Sequence, residues 1–134
     1  MQALDTEIGR LLDSIDLDTT NIIIIGDNGT PGAVVQAPFT AAHAKGSLYD
    51  GGIHVPLIMA GPDIPLTGKS HKLVHCVDLF ATILDLAGID TDSATSSVDT
   101  IDSQSIVPIL NGRDVAKRYI VSETFGGNID GRTI

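Results

Sequence analysis

Tryptophan is absent from this chain, and three Phe and two Tyr hold the aromatic share to 4%, so a core has to be built from aliphatic side chains. Cations are also scarce. Eight Lys and Arg stand against 17 Asp and Glu, a formal net charge of −9, and they are scattered without a basic stripe. That excludes binding to a nucleic-acid backbone, which requires clustered Lys and Arg. One cysteine, Cys76, excludes an internal disulfide and leaves the redox compartment open; it reads as a small apolar core residue. No apolar run reaches the roughly eighteen residues of a membrane-crossing helix. The opening Met1-Gln2-Ala3-Leu4-Asp5 has neither the basic nor the apolar region of a signal peptide.

What the sequence does contain is aliphatic. Hydrophobic residues are 43% of 134, enough for one domain, and the expectation is a single domain over residues 1–134. Leu4, Ile8, Leu11, Leu12 and Ile15 share one helical face, with Asp5, Glu7, Arg10 and Asp13 opposite. Ile22 to Ile25, β-branched throughout, reads as a short strand buried on both faces of a mainly parallel sheet. A second strand is expected over Val55 to Ala60, with Pro56 near its start. Leu79 to Ala87 reads as a helix with Asp78 as N-cap and Gly88 as the residue that stops it. His75 is expected on a strand leading into that helix. A polar loop over about 89–105, a short helix and a strand at Tyr119 to Ser122 complete the order.

Asp27-Asn28-Gly29 lies just past the carboxyl end of the Ile22 to Ile25 strand, the edge at which open α/β sheets bind ligands. Taken alone it also reads as a plain turn, with Gly29 supplying positive φ. Downstream runs Lys45-Gly46-Ser47-Leu48-Tyr49-Asp50-Gly51-Gly52-Ile53-His54-Val55-Pro56. Its glycines allow close backbone approach, and Lys45 carries a mobile charge suited to an oxyanion. His43 reads as an exposed loop residue.

This pairing of segments resembles the sulfatase family of the alkaline phosphatase superfamily. The resemblance continues through Ala3 to Leu12, Val77 to Gly88 and Asp102 to Gly112, in the family's order. It implies an α/β fold, a partial alkaline-phosphatase-like sandwich with a mostly parallel central sheet flanked by helices. It implies that Asp27 and Asn28 are ligands of a catalytic Ca2+ and that Lys45 is a catalytic residue that binds the sulfate of a sulfate ester. It also suggests a periplasmic or secreted setting. Two departures are Asp50, where the family commonly has Glu, and His54, where it has Arg; the second replaces a permanent guanidinium with an imidazole.

Family members use a formylglycine made within a Cys/Ser-x-Pro/Ala-x-Arg motif, and no such motif occurs here; Cys76-Val77-Asp78-Leu79-Phe80 lacks both the small residue and the Arg. Calcium takes about six to eight oxygen ligands, more than one Asp-Asn pair supplies. The expectation is therefore the carboxyl-terminal portion of a sulfatase catalytic domain, inactive alone, with formylglycine in the missing amino-terminal part. It is expected to self-associate through surfaces exposed by the missing half. Two alternatives stay open: a phosphate or phosphonate ester hydrolase of the same superfamily, and a non-catalytic binding module. Other motifs fail: Gly68-Lys69-Ser70 lacks the first Gly of a P-loop, and His71 and His75 lack the acidic residue of a zinc-protease helix.

Overall fold

The computed structural model describes residues 2–97, 100–113, 115–116, 119–124 and 131–133. In chain order the elements are helix α1 (Gln2–Leu12), strand β1 (Ile22–Ile25), a 3-10 turn (Ala41–His43), α2 (Asp50–Ile53), β2 (Leu57–Ala60), α3 (Asp78–Leu86), α4 (Thr91–Ala94), α5 (Val107–Leu110), β3 (Ser122–Thr124) and β4 (Gly131–Thr133). The chain forms two compact units, one of Met1–Ile23, Met59–Ser70 and Cys76–Val115, the other of Ile24–Ile58, His71–His75 and Ala116–Ile134.

The expected sandwich with a mostly parallel central sheet is not what forms. Among the described residues helix outweighs strand, and the strands make two separate two-stranded sheets, β1 with β2 and β3 with β4. The second is antiparallel, with Glu123 opposite Arg132. The reason is visible at β1. A strand buried on both faces of a parallel sheet needs neighbours on both edges and crossover connections of a dozen or more residues. Here β1 has β2 as its one partner among the described residues, and Ile24 and Ile25 are each 38% exposed.

In the first unit, α1 forms where the periodicity places it, closed by an Arg10–Glu7 ion pair of 2.8 Å. Its apolar stripe is nevertheless uncovered: none of its residues is buried, and Leu4 and Leu11 are about three-fifths exposed (59% and 62%). The small core gathers around α3, where Ala81, Asp78 and Thr82 are buried together with Ile64 and Ile106. Asp78 is not the N-cap. Val77 takes that place, and Asp78 enters the first turn, where its Oδ1 accepts the Gln104 N–H (3.1 Å). The carboxylate thus reaches a partner far along the chain.

The other end of α3 does follow the sequence. Gly88 adopts φ +70°, its N–H donates to Asp85 O (3.0 Å), and the Ile89 N–H donates to Leu84 O (2.9 Å). These two bonds are a Schellman closure, which satisfies carbonyls that the helix cannot. Cys76 is exposed rather than in the core, because it precedes the helix instead of lying on its packed face. The polar stretch after α3 holds one short helix, α4, capped by Asp90. In the second unit, His75 lies in irregular chain rather than on a strand, and the last expected strand starts later, at Ser122.

Candidate functional site

Asp27 and Asn28 form an exposed bend directly after β1, and Lys45 is exposed on the loop that follows the 3-10 turn. All three belong to the second unit. Backbone hydrogen bonds hold the two segments together. Gly26 N–H donates to Pro56 O (2.9 Å), Gly29 N–H to Gly52 O (3.0 Å) and Lys45 N–H to Thr30 O (3.0 Å). The Asp27–Gly29 bend and the Lys45–Pro56 segment are therefore neighbours.

Glycine makes this approach feasible. A Cβ on Gly29 would strike Gly51 O and lie 2.7 Å from Gly52 Cα; one on Gly51 would strike His43 O, and one on Gly52 would strike Ser47 O. The closest approach in each case is to backbone, with Phe39 Cδ1 and Ser47 Oγ the nearest side-chain atoms at Gly51 and Gly52. Gly29 does not adopt positive φ, so its place in the sequence reflects close approach rather than a left-handed turn. Gly46, by contrast, has open space around its α-carbon. Beneath these contacts, Ala44 is 1% exposed and serves as the floor.

Asp50 and His54, the two departures from the family pattern, meet through the backbone: His54 N–H donates to Asp50 O (2.9 Å) and closes the single turn of α2. Both side chains are exposed. His43 is exposed as expected, but its ring stacks on Tyr49, with centroids 3.7 Å apart and planes 23° from parallel. Phe39, His43 and Tyr49 line a pocket of about 410 Å³ together with Leu48, Thr40 and Asp50. Sequence reading gave neither Phe39 nor Tyr49 a role of its own. The available signal was their scarcity: with only three Phe and two Tyr in the chain, two of them flank Lys45 closely.

As to metal, Asp27 and Asn28 offer a carboxylate and a carboxamide oxygen, the hard donors calcium prefers. Among the described residues, however, no group of three or more His, Cys, Asp or Glu is placed to hold an ion. The pair fits part of a coordination shell. No helix among the described residues is long and apolar enough to cross a membrane.

Comparison with known proteins places the chain among sulfatases. The chain is 35% identical over 105 residues to human N-acetylglucosamine-6-sulfatase, covering 78% of this chain and 17% of that protein. It is 30% identical over 129 residues to human arylsulfatase K (95% of this chain, 23% of the relative). It is 28% identical over 125 residues to a sulfatase of Formosa agariphila (82% and 22%). The chain thus spans less than a quarter of the length of these relatives. The profile of the family described as Sulfatase matches residues 1–89, and with more than half of its length so matched the chain belongs to the sulfatase family.

Proposed function

We propose that this chain is the carboxyl-terminal portion of a sulfatase catalytic domain, supplying part of a metal shell and a sulfate-binding cation for the hydrolysis of a sulfate ester. The observation that carries the reading is the backbone clasp between the two segments. Lys45 N–H on Thr30 O and Gly29 N–H on Gly52 O support a shared pocket for the Asp27–Asn28 donors and the Lys45 ammonium. In this reading Asp27 and Asn28 hold Ca2+, with the remaining oxygen ligands coming from outside the chain. A bound divalent ion supplies Lewis-acid stabilisation of charge on the ester oxygens. Lys45, on a flexible stem with three donors, neutralises and orients the sulfate oxygens.

The nucleophile, a formylglycine, belongs to the remainder of the domain, so the chain alone turns over no sulfate ester. The uncovered apolar residues Leu4, Leu11, Phe80 and Ile83, all more than half exposed (51–62%), fit a chain that packs on further sulfatase structure and self-associates without it. A secreted or periplasmic setting accompanies this reading.

The test is Asp27→Ala in the full-length enzyme. Turnover and calcium affinity are expected to fall together, turnover by a hundredfold or more, on the order of the loss when a charge-stabilising group is removed. Calorimetric Ca2+ titration and a chromogenic sulfate ester read the two quantities. Unchanged turnover would remove Asp27 from the site.

A further inference from the structure

We infer that the backbone clasp at Gly29 shields the Asn28 carboxamide from attack by its own chain, and that Asn111, in a second Asn-Gly pair closed by weaker means, is the site of spontaneous deamidation. The inference concerns the covalent chemistry of the chain and holds whether or not Asn28 binds a metal.

Asn-Gly occurs twice, at Asn28-Gly29 and at Asn111-Gly112. The pair is reactive because the backbone nitrogen after an asparagine can reach that residue's side-chain carbonyl carbon, and glycine has no β-carbon to hinder the approach. The nitrogen gives its proton to solvent base and bonds to Cγ; the Cγ–NH2 bond breaks, and the released group takes up a proton and leaves as ammonia. Water then opens the cyclic imide at either carbonyl. The product is aspartate or isoaspartate, the latter with the backbone running through Cγ. Both asparagines are exposed, so contact with water does not separate them. The freedom of the following nitrogen does.

Gly29 N–H is held by tertiary structure. It donates to Gly52 O (3.0 Å), in company with Gly26 N–H on Pro56 O (2.9 Å) and Lys45 N–H on Thr30 O (3.0 Å), and no β-carbon would fit between its α-carbon and Gly51 O. For the nitrogen to turn onto Asn28 Cγ, the bend has to part from a segment distant in sequence. Gly112 is closed by its own helix: its N–H donates to Ile109 O (2.9 Å), and Arg113 N–H donates to Pro108 O (2.9 Å). That helix, α5, is a single turn over Val107–Leu110. Residues 111–113 are exposed, and the nearest atom to a Cβ on Gly112 would be Leu66 Cδ1, at 3.9 Å. Fraying of this last turn frees the nitrogen without parting packed backbone, and terminal openings lie at the low end of local unfolding free energies.

The two products also differ in consequence. A carboxylate at position 28 would stand beside Asp27 and add to the local negative charge, and an isoaspartate there would lengthen the backbone inside the clasp. Asn111 belongs to the first unit and to none of the clasp's hydrogen bonds.

The experiment holds the full 134-residue chain at mildly alkaline pH, where the backbone nitrogen loses its proton more readily. Samples taken over time are digested, and fragment mass spectrometry reads the mass gain from carboxamide to carboxylate at each asparagine. Asn111 is expected to convert faster than Asn28 by about tenfold or more, reflecting the costlier opening at Gly29. In guanidinium chloride, which opens both sites, the two rates should converge. Gly52→Ala adds a methyl that overlaps Ser47 O and leaves both Asn-Gly pairs in place; it should speed conversion at Asn28 and not at Asn111. Equal rates at the two asparagines in the native chain would overturn the inference. A gap that persists unchanged in guanidinium chloride would do the same, since it would then arise from neighbouring residues rather than from the clasp. A folded Gly52→Ala chain with an unaltered Asn28 rate would remove the clasp as the cause. Because the comparison with and without denaturant uses a single chain, it decides the matter even where Gly52→Ala fails to fold.

Discussion

The α3 helix with its partner segment 103–107 and the glycine-packed loops of residues 26–56 satisfy their backbones by opposite means. Around α3 the partners are side chains. Ser103 Oγ accepts the Ala81 N–H (2.9 Å), Thr82 Oγ1 accepts the Ile106 N–H (3.0 Å), and Asp78 Oδ1 accepts the Gln104 N–H (3.1 Å). In the glycine loops the backbone bonds itself, through Gly26 to Pro56, Gly29 to Gly52 and Lys45 to Thr30. Side chains that hold structure are not available for chemistry, whereas glycine packing leaves the neighbouring charged groups exposed. Asp78, 0% exposed, is accordingly a structural carboxylate, whereas the Asp27 carboxylate proposed as a ligand is exposed.

The strongest way to break this contrast is Gly29→Ala. The added methyl overlaps Gly51 O, and neither loop can yield without losing the Gly29–Gly52 hydrogen bond. A loss of about 3 kcal/mol, the upper range for overpacking, is expected in denaturant unfolding, with faster amide exchange at Gly29 and Lys45. An unchanged midpoint would mean that the two segments are not in contact.

Next is Thr82→Val, which keeps the shape and removes the hydroxyl. Thr82 Oγ1 both donates to Asp78 O (2.6 Å) and accepts the Ile106 N–H, so the substitution leaves a buried donor without its acceptor. The expected cost is about 2 kcal/mol, and Thr82→Ser should recover most of it. Equal losses in the two variants would assign the effect to packing.

How far sequence reading reached follows the same divide. The end of α3 was legible because a Schellman closure is local: Gly88 and the residues just before it carry the whole signal. The glycines signalled close backbone approach without naming its partner, the shared site for Asp27, Asn28 and Lys45 was implied by the family resemblance, and Gly29 serves close approach rather than positive φ. The bonds of Asp78 to Gln104 and of Thr82 to Ile106 span more than twenty residues and leave no periodic trace, so Asp78 was read as a cap. The helix α2 was hidden by Gly51 and Gly52, poor helix formers held in one turn by the packing around them. The parallel sheet came from extending a four-residue isoleucine run into neighbours that the described residues do not provide. The aromatic pocket was missed because stacking of His43 on Tyr49 depends on the path of the loop, which residue spacing alone does not fix.

A smaller and oppositely signed effect comes from Gly9→Ala. Gly9 lies inside α1 with nothing within 4 Å of its would-be Cβ. Alanine there should stabilise the helix by about 1 kcal/mol, by lowering the conformational freedom of the unfolded chain. Glycine for glycine, it is the control for Gly29→Ala: the same chemical change, with no backbone to collide with. A thermal melt shifted downward would show that α1 is more closely packed than its exposure indicates.

The smallest expected effect concerns Asp90, the cap of α4, where a side chain does at an exposed site what Asp78 does in the core. Its Oδ2 accepts both the Ser93 hydroxyl (2.6 Å) and the Ser93 N–H (3.0 Å), and these hydrogen bonds hold its carboxyl below the ordinary value. A carboxyl with a lowered folded-state pKa contributes stability that is present above its unfolded pKa and is lost as pH falls through the folded pKa. The Ser93 amide shift should therefore titrate at a lower pH than an unbonded aspartate would give, and α4 should fray only on the acid side of that midpoint. Asp90→Asn retains a good capping side chain and removes the proton, so the Ser93 titration step should vanish while the helix persists at neutral pH. A Ser93 midpoint at or above the usual carboxylate range would show that the cap is open in solution, and that side-chain closure of the backbone in this chain needs burial to hold.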